Sequence, residues 1–368
     1  MQIDNNDFTK EKKQKYIMKF LLEKAKNHLR QNLPFVLYCK PNSDKIKGFF
    51  QKNDTLFETT DCTEKGFVFA SFDGTKTVLI PENESEILYV VLHKKEIEIQ
   101  ENKLNFENEI AKNNFETLVA KGIQAIETNQ FQKVVLSRKE SVDLNNFDLI
   151  DAFDNLVQLY PNTFVYCFYH PKVGTWLGAT PEQLLKAEDN FFKTIALAGT
   201  QKDIGSNDVI WPIKEQEEQL FVTDYIVEKV KNLASEITVS KPYSIKAGSV
   251  WHIKTDISGS LNLEFGLKEM IQLLHPTPAV CGLPKQQAKE FILENENYNR
   301  TFYTGFLGEL NMENQSDLFV NLRCMEIDHK QAHLFMGCGI TKDSIPEKEW
   351  EESINKSVTM KKILDFRF

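Results

Sequence analysis

The sequence predicts an α+β protein with layered, mainly antiparallel β-sheets flanked by helices. Three observations carry that prediction. Strand-like and helix-like runs come in blocks rather than in strict alternation, which disfavours a parallel βαβ sheet. Short apolar runs between 34 and 92 are separated by turn residues such as Asn53-Asp54 and Asp73-Gly74, as in a meander. Finally, 27 Phe against 16 Gly in 368 residues is a composition for thick packed layers, in a chain long enough to bury well over half its unfolded surface.

The elements follow in order. Residues 10–30 read as a helix, with Ile17, Leu21 and Leu29 on its apolar side. Strands are expected at 35–39, 66–72, 77–80 and 87–92. The charged stretch 93–103 is the best boundary between a β-rich N-terminal part (1–105) and the rest (106–368), within what is expected to be one compact domain overall. A helix over 106–128 repeats Phe106, Ile110, Leu118, Ile123 and Ile126 at near-helical spacing. A strand at 133–138 and a helix at 147–159, stopped by Pro161, come next. Strands at 163–170 and 183–197 and a helix over 212–233 follow. Strands near 248–253, 317–327 and 331–336 and a last helix over 345–364 complete the pattern.

Charge and cysteine usage narrow the function classes. Lys and Arg total 44 against 53 Asp and Glu, a net charge of −9. Nucleic acid as main partner needs a basic excess, so it is disfavoured, and an anionic membrane surface equally so. Cysteines at 39, 62, 167, 281, 324 and 338 form no CxxC and no zinc-like spacing with His. The expectation is reduced thiols in a cytoplasmic enzyme. The N-terminus lacks an apolar signal-peptide core, and no run has the roughly 18–20 apolar residues of a membrane span. No exposed apolar helix stripe stands out, so a monomer is expected.

Two acidic helix starts are the first chemical signal. In Lys214-Glu215-Gln216-Glu217-Glu218, Glu215 and Glu218 share a helix face that runs on into Val222, Ile226, Val230 and Leu233. The last helix repeats the design with Glu349 and Glu352, after Ser344-Ile345-Pro346-Glu347, a capping-box pattern with proline in the first turn. Lys356 lies one turn beyond Glu352. Carboxylate pairs aimed inward without His or Cys suit a hard cation such as Mg²⁺. Helix starts also favour acids for dipole reasons alone.

Four further constellations follow. In Phe131-Gln132-Lys133-Val134-Val135-Leu136-Ser137-Arg138, Lys133 enters an apolar strand. Desolvation there lowers a lysine's pKa toward that of a general base, unless the chain snorkels to water. Leu177-Gly178-Ala179-Thr180-Pro181-Glu182 sets Glu182 just past a turn: a positioned general acid, or a solvated turn residue. His275-Pro276-Thr277-Pro278-Ala279-Val280-Cys281-Gly282-Leu283-Pro284 is a rigid loop. Gly337-Cys338-Gly339 lacks the third glycine of a dinucleotide fingerprint, yet can bring backbone close to a ligand. Arg323 and His252 add a fixed cation and a switchable donor.

These pieces, in this order over 106–368, resemble the chorismate-utilising enzymes, and most closely their isochorismate synthases. The carrying segments are 131–138, 177–185, Ala196-Leu197-Ala198-Gly199-Thr200, Val250-Trp251-His252, 275–285, Leu322-Arg323-Cys324, and 337–340 followed by 349–356. The resemblance implies layered antiparallel sheets around one deep site for chorismate, a dicarboxylate, with Mg²⁺ as cofactor. Glu218 and Glu352 would ligate the metal, supported through water by Glu215 and Glu349. Arg323 and the backbone at Gly337 would hold the enolpyruvyl carboxylate. Thr200, His252, Ala279 and Lys356 would line or contact the substrate. Lys133 would activate water for attack at ring C2, and Glu182 would protonate the departing C4 hydroxyl. The product would be isochorismate, for menaquinone or catechol siderophore biosynthesis.

Lys133, Ala198 and Ala279 distinguish the pattern from ammonia-using relatives. Salicylate synthase, which goes on to eliminate pyruvate, and a non-catalytic chorismate-binding protein remain alternatives. The sequence departs from the family's usual pattern at Met336 and Cys338, at Glu215, where Asp is common, and at Gln219, where His is common.

Overall fold

The computed structural model describes residues 5–92, 108–202, 205, 209–247, 250–262 and 264–364. Helix α1 (Asn5–Arg30) leads into β1 (Phe35–Cys39), β2 (Lys45–Gln51), β3 (Phe57–Glu58), β4 (Gly66–Ala70), β5 (Thr77–Pro81) and β6 (Ser85–Val91). Then come α2 (Glu109–Glu127), β7 (Lys133–Asp143), α3 (Leu149–Leu159), β8 (Phe164–His170), β9 (Gly174–Thr180), β10 (Gln183–Glu188) and β11 (Phe191–Lys202). Next are α4 (Ile213–Val230), β12 (Ala234–Val239), β13 (Tyr243–Ala247), β14 (Val250–Leu261), α5 (Leu267–Leu274), β15 (Gly282–Leu283) and α6 (Lys285–Asn295). The chain closes with β16 (Phe306–Met312), β17 (Gln315–Val320), β18 (Cys324–Asp328), β19 (Gln331–Ile340) and α7 (Pro346–Leu364).

The strands form two sheets. The first runs β15-β7-β19-β18-β9-β8-β1-β2-β6. The second runs β12-β14-β11-β10-β17-β16-β4-β5-β3, with β13 on β14. Every described pairing is antiparallel, as in β1 with β8 and β7 with β19. Strands from the N-terminal part enter both sheets. The expected boundary at 93–103 lies outside the described residues.

The phenylalanines explain the layering. Strand β8 reads Phe-Val-Tyr-Cys-Phe-Tyr-His, and alternate residues point to opposite faces. Phe164, Tyr166 and Phe168 meet Phe67, Phe69 and Phe319 of the other sheet in an aromatic layer. Val165, Cys167 and Tyr169 pack outward under α1 and α3. Both faces are covered, so the strand reads as one apolar run. The outer face of the second sheet packs against α4 and α5, with the Val222, Ile226 and Val230 stripe buried as expected. Helices α2, α6 and α7 close over β7 and β19.

Several expectations need correction. Ile110 is 74% exposed; α2 buries Phe115, Leu118, Val119 and Ile126 instead. The run 317–327 is two strands in different sheets, and 183–197 is two neighbouring strands of one sheet. Ser344 does not cap α7: its hydroxyl accepts the Thr341 N–H at 3.1 Å. Pro346 does open the helix, where its missing N–H costs nothing. An exposed apolar helix face also exists, since α4 presents Ile213, Leu220 and Phe221 to solvent.

Candidate active site

Two strand crossovers build the site. Strand β9 belongs to the first sheet and β10 to the second, so the chain passes between layers at Pro181-Glu182. Strands β17 and β18 make the reverse passage at Asn321-Leu322-Arg323, where Arg323 takes a left-handed φ of 46°. The crossovers lie side by side, tied by Val320 N–H to Glu182 O (2.9 Å) and Ala179 N–H to Arg323 O (3.0 Å). Glu182 and Arg323 are thereby delivered to the gap between the sheets.

That gap holds a cavity of about 130 Å³. Its walls carry Lys133 from β7, Gly337 and Gly339 from β19, Thr200 from β11 and His252 from β14. Ala279 closes one side from the 275–284 loop. Glu218 of α4 and Glu352 and Lys356 of α7 complete the lining. The glycines leave room for close approach. A Cβ at Gly339 would sit 3.2 Å from Lys133 Cε, and one at Gly337 would sit 2.8 Å from Tyr303 Oη.

The charges in the cavity are arranged in opposite pairs. Lys133 Nζ contacts Glu218 Oε1. Lys356 Nζ lies 2.6 Å from Glu352 Oε1 and donates to Gly337 O at 2.7 Å. Lys133 is therefore not a lone amine in an apolar run, because a carboxylate from α4 compensates it. Burial pushes the Glu182 carboxyl up to about 7, against the opposing Thr277 hydroxyl and the charges of Lys133 and Lys356. Of the two readings of Glu182, positioned acid or solvated turn residue, its 7% exposure favours the first. Burial also drives His252 down to about 4, against the Gly199 carbonyl, with Arg323 and Lys356 adding to the shift. A carbonyl can only accept, so the 2.9 Å contact to Gly199 O puts the imidazole proton on Nδ1. Nε2 is left as an acceptor.

Neither Glu215 nor Glu349 lines the cavity. Glu215 Oε2 accepts the Thr200 N–H at 2.9 Å, and so holds the β11 bulge that presents Thr200. The Glu349 and Glu352 carboxylates and Cys338 Sγ offer donor atoms within 4.8 Å of one another. Gln219 bridges Thr223 (2.8 Å) and Thr255 (2.7 Å), fastening α4 to β14. Tyr303 was not singled out from the sequence, yet it lines the cavity beside Gly337. Its only signal is an aromatic pair, Phe302-Tyr303, ahead of Gly305. Thr277, whose hydroxyl reaches Glu182 Oε1 at 3.5 Å, was hidden inside the proline loop.

The family model described as chorismate binding enzyme matches residues 71–365. The chain belongs to this family. It is 34% identical over 259 residues to isochorismate synthase EntC of Escherichia coli, covering 67% of this chain and 66% of EntC. Against isochorismate synthase MenF of the same organism it is 29% identical over 258 residues, 67% of this chain and 59% of MenF. The aligned part thus spans about two thirds of the former relative's length and less of the latter's. The fold matches the structure of E. coli MenF, described as menaquinone-specific, with a TM-score of 0.76 at 22% identity, over 90% of this chain and 89% of that one. Among the described residues, no helix is long and apolar enough to cross a membrane.

Proposed function

We propose that this chorismate-binding enzyme converts chorismate to isochorismate with Mg²⁺ as cofactor. The observation that carries the reading is that Lys133 and Glu182 open into one cavity together with Arg323, Lys356, Glu218 and Glu352. A base and an acid acting on one ring need such a shared space.

The donor set suits the metal. Glu218 and Glu352 offer carboxylate oxygens to the cavity, and a divalent cation bound there would share each of them with the lysine amine it already meets. Oxygen ligands of this kind suit a hard divalent cation. Bound there, Mg²⁺ would neutralise a substrate carboxylate and fix the ring's orientation. Because Glu218 is also the counter-ion of Lys133, cation binding and the charge state of that amine are linked through one carboxylate.

The protein's own groups divide the remaining work. Arg323 and Lys356 attract the dicarboxylate, with Arg323 set for the enolpyruvyl carboxylate beside Gly337. Lys133, entering this step as the neutral amine, takes a proton from water as its oxygen bonds to ring C2. The ring double bonds shift, the C4–O bond breaks, and Glu182 gives its proton to the leaving hydroxyl, which departs as water. The Lys133 proton then returns to Glu182 through solvent, and no redox change occurs. Glu182 is suited to the acid role because a carboxyl near 7 keeps its proton close to neutrality. His252 Nε2 and the Thr200 hydroxyl can accept from and orient the substrate hydroxyl.

The test is NMR of the products formed from chorismate with and without Mg²⁺. Isochorismate only with the cation is the expected result. Unchanged chorismate under both conditions sinks the proposal. Release of pyruvate would assign salicylate synthase chemistry instead.

A further inference from the structure

The two faces of β7 do different things. Lys133 and Val135 face the cavity. Val134 and Leu136 pack into the cluster beneath α2 and α7. Arg138 continues that second face, so it points away from the cavity and toward α7.

There Arg138 grips the helix. Its guanidinium carbon lies 4.4 Å from the centre of the Trp350 ring. Nε donates to Ser353 Oγ at 2.8 Å. Nη1 donates to Glu140 Oε2 at 3.0 Å, and the other Glu140 oxygen holds Lys361 Nζ. Helix α7 is thus fastened at 350, 353 and 361, over three turns. Ser353 in turn donates to Trp350 O at 2.7 Å, so its hydroxyl is oriented to accept from Arg138.

The first two fastening points bracket Glu352. Successive residues of a helix are 100° apart, and a carboxylate stands roughly 6 Å from the axis. A rotation of about 20° therefore moves that carboxylate by about 2 Å. That is the difference between a ligand in place and one out of reach, since Mg²⁺ demands near-ideal geometry. A leucine at 138 could pack under Trp350, but it could not fix the helix's rotation.

We propose that Arg138 is a positioning residue: through Trp350, Ser353 and Glu140 it sets the rotation of α7, and so the affinity of the Glu352 site for a divalent cation. The inference rests on the reading of Glu218 and Glu352 as cation ligands. Arg138 touches neither substrate nor cation. It occupies the same strand as Lys133, so one strand fixes the amine on one face and the ligand-bearing helix on the other.

The test measures cation binding directly, without substrate, by Mg²⁺ calorimetry and by the free Mn²⁺ EPR signal. Arg138→Met keeps an unbranched stem over Trp350 but deletes every N–H donor. Ser353→Ala removes only the Nε acceptor and serves if the first variant does not fold. We expect Kd to rise tenfold or more in Arg138→Met, and about threefold in Ser353→Ala. Arg138→Lys should recover part of the loss. The alkaline limb of the turnover profile should stay in place, because Glu182 lies on the other side of the strand. Folded variants whose Kd stays within twofold of the parent overturn the proposal and leave the cation reading intact. A parent protein that binds neither Mg²⁺ nor Mn²⁺ overturns both.

Discussion

Among the described residues, two clusters of charged side chains that meet between the sheets are resolved differently. At the N-terminal end, Lys40 and Lys47 face Glu309 and Asp317. Lys40 lies 2.5 Å from Glu309 and 3.1 Å from Asp317, and Lys47 lies 2.8 Å from Glu309. Tyr38 donates to the same Glu309, and Gln183 donates to Asp317 at 2.8 Å. Two cations meet two anions there, and their polar partners lie in the protein. At the cavity end, Lys133, Arg323 and Lys356 face Glu218 and Glu352, while the third carboxyl, Glu182, keeps its proton near neutrality. Three cations meet two anions around an open volume. The same sheet pair closes one end by complete internal pairing and leaves the other end one negative charge short. A dianionic substrate and a divalent cation together add no net charge, so they would redistribute the pairing in that volume: the substrate carboxylates would meet the cationic side chains and the metal would meet Glu218 and Glu352.

The largest effect should come from the open end. Lys133→Ala is expected to lower kcat by roughly 10²–10⁴-fold, the range for one acid–base group. Far-UV circular dichroism should change little, because a small residue can replace the amine beside Gly339, while the melting temperature should fall as Glu218 loses its counter-ion. Turnover equal to the parent's would remove Lys133 from the mechanism.

The closed end should respond in the opposite way. Glu309→Leu leaves Lys40 and Lys47 facing each other without the carboxylate both of them use. Breaking a buried pair on one side costs about 3–5 kcal/mol. A urea melt should show that loss, while kcat of the protein that remains folded stays near the parent value. A fall in kcat beyond the folded fraction would mean that the two ends are mechanically coupled, and the contrast between them would fail.

Glu182 lets the same contrast be read as a function of pH. Its folded value of about 7 lies above the 4.5 of a free glutamate side chain. Between those values the folded protein keeps a proton that the unfolded chain gives up. Stability is therefore highest below 4.5, falls as pH rises through the window, and carries the full penalty above 7. Glu182→Gln has no such proton. It should match the parent at pH 5 and exceed it at pH 8, by on the order of 1–3 kcal/mol, while losing most turnover. In the parent, turnover should fall above pH 7 as the acid is spent. Equal stability of parent and variant at both pH values would place the Glu182 carboxyl in water.

Much of this was legible in the residues. Acidic pairs ahead of apolar stripes marked α4 and α7, and the odd lysine in an apolar strand marked β7. The crossovers were not legible. The stretch from Asp317 to Ile327 reads as one apolar strand, because a change of sheet leaves no mark on alternation. Only the left-handed backbone at Arg323 betrays it. Glu182 shows the same limit: nothing local separates a solvated turn from a passage between layers. The partner of Lys133 was equally hidden, since Glu218 lies 85 positions away on α4, which packs on β11 of the second sheet while Lys133 belongs to β7 of the first. Tyr303 disappeared among many aromatics that merely fill the layer.

The smallest expected effect concerns Cys338, one of the departures from the usual pattern noted in the sequence. Its thiol donates to Glu349 O across 3.3 Å and is fully buried. It belongs to the cluster beneath α2 and α7, on the face of β19 opposite to Gly337 and Gly339. The side chain therefore fills space under the acidic helix start without entering the cavity. Cys338→Ala removes one buried sulfur, worth on the order of 1 kcal/mol in the lower range of large-to-small changes. Urea melts should show that loss, and kcat should stay within about twofold of the parent. A larger change in Mg²⁺ affinity would carry a different meaning. The thiol lies within 4.8 Å of the Glu349 and Glu352 donor atoms, so such a change would show that it supports the ligands from below.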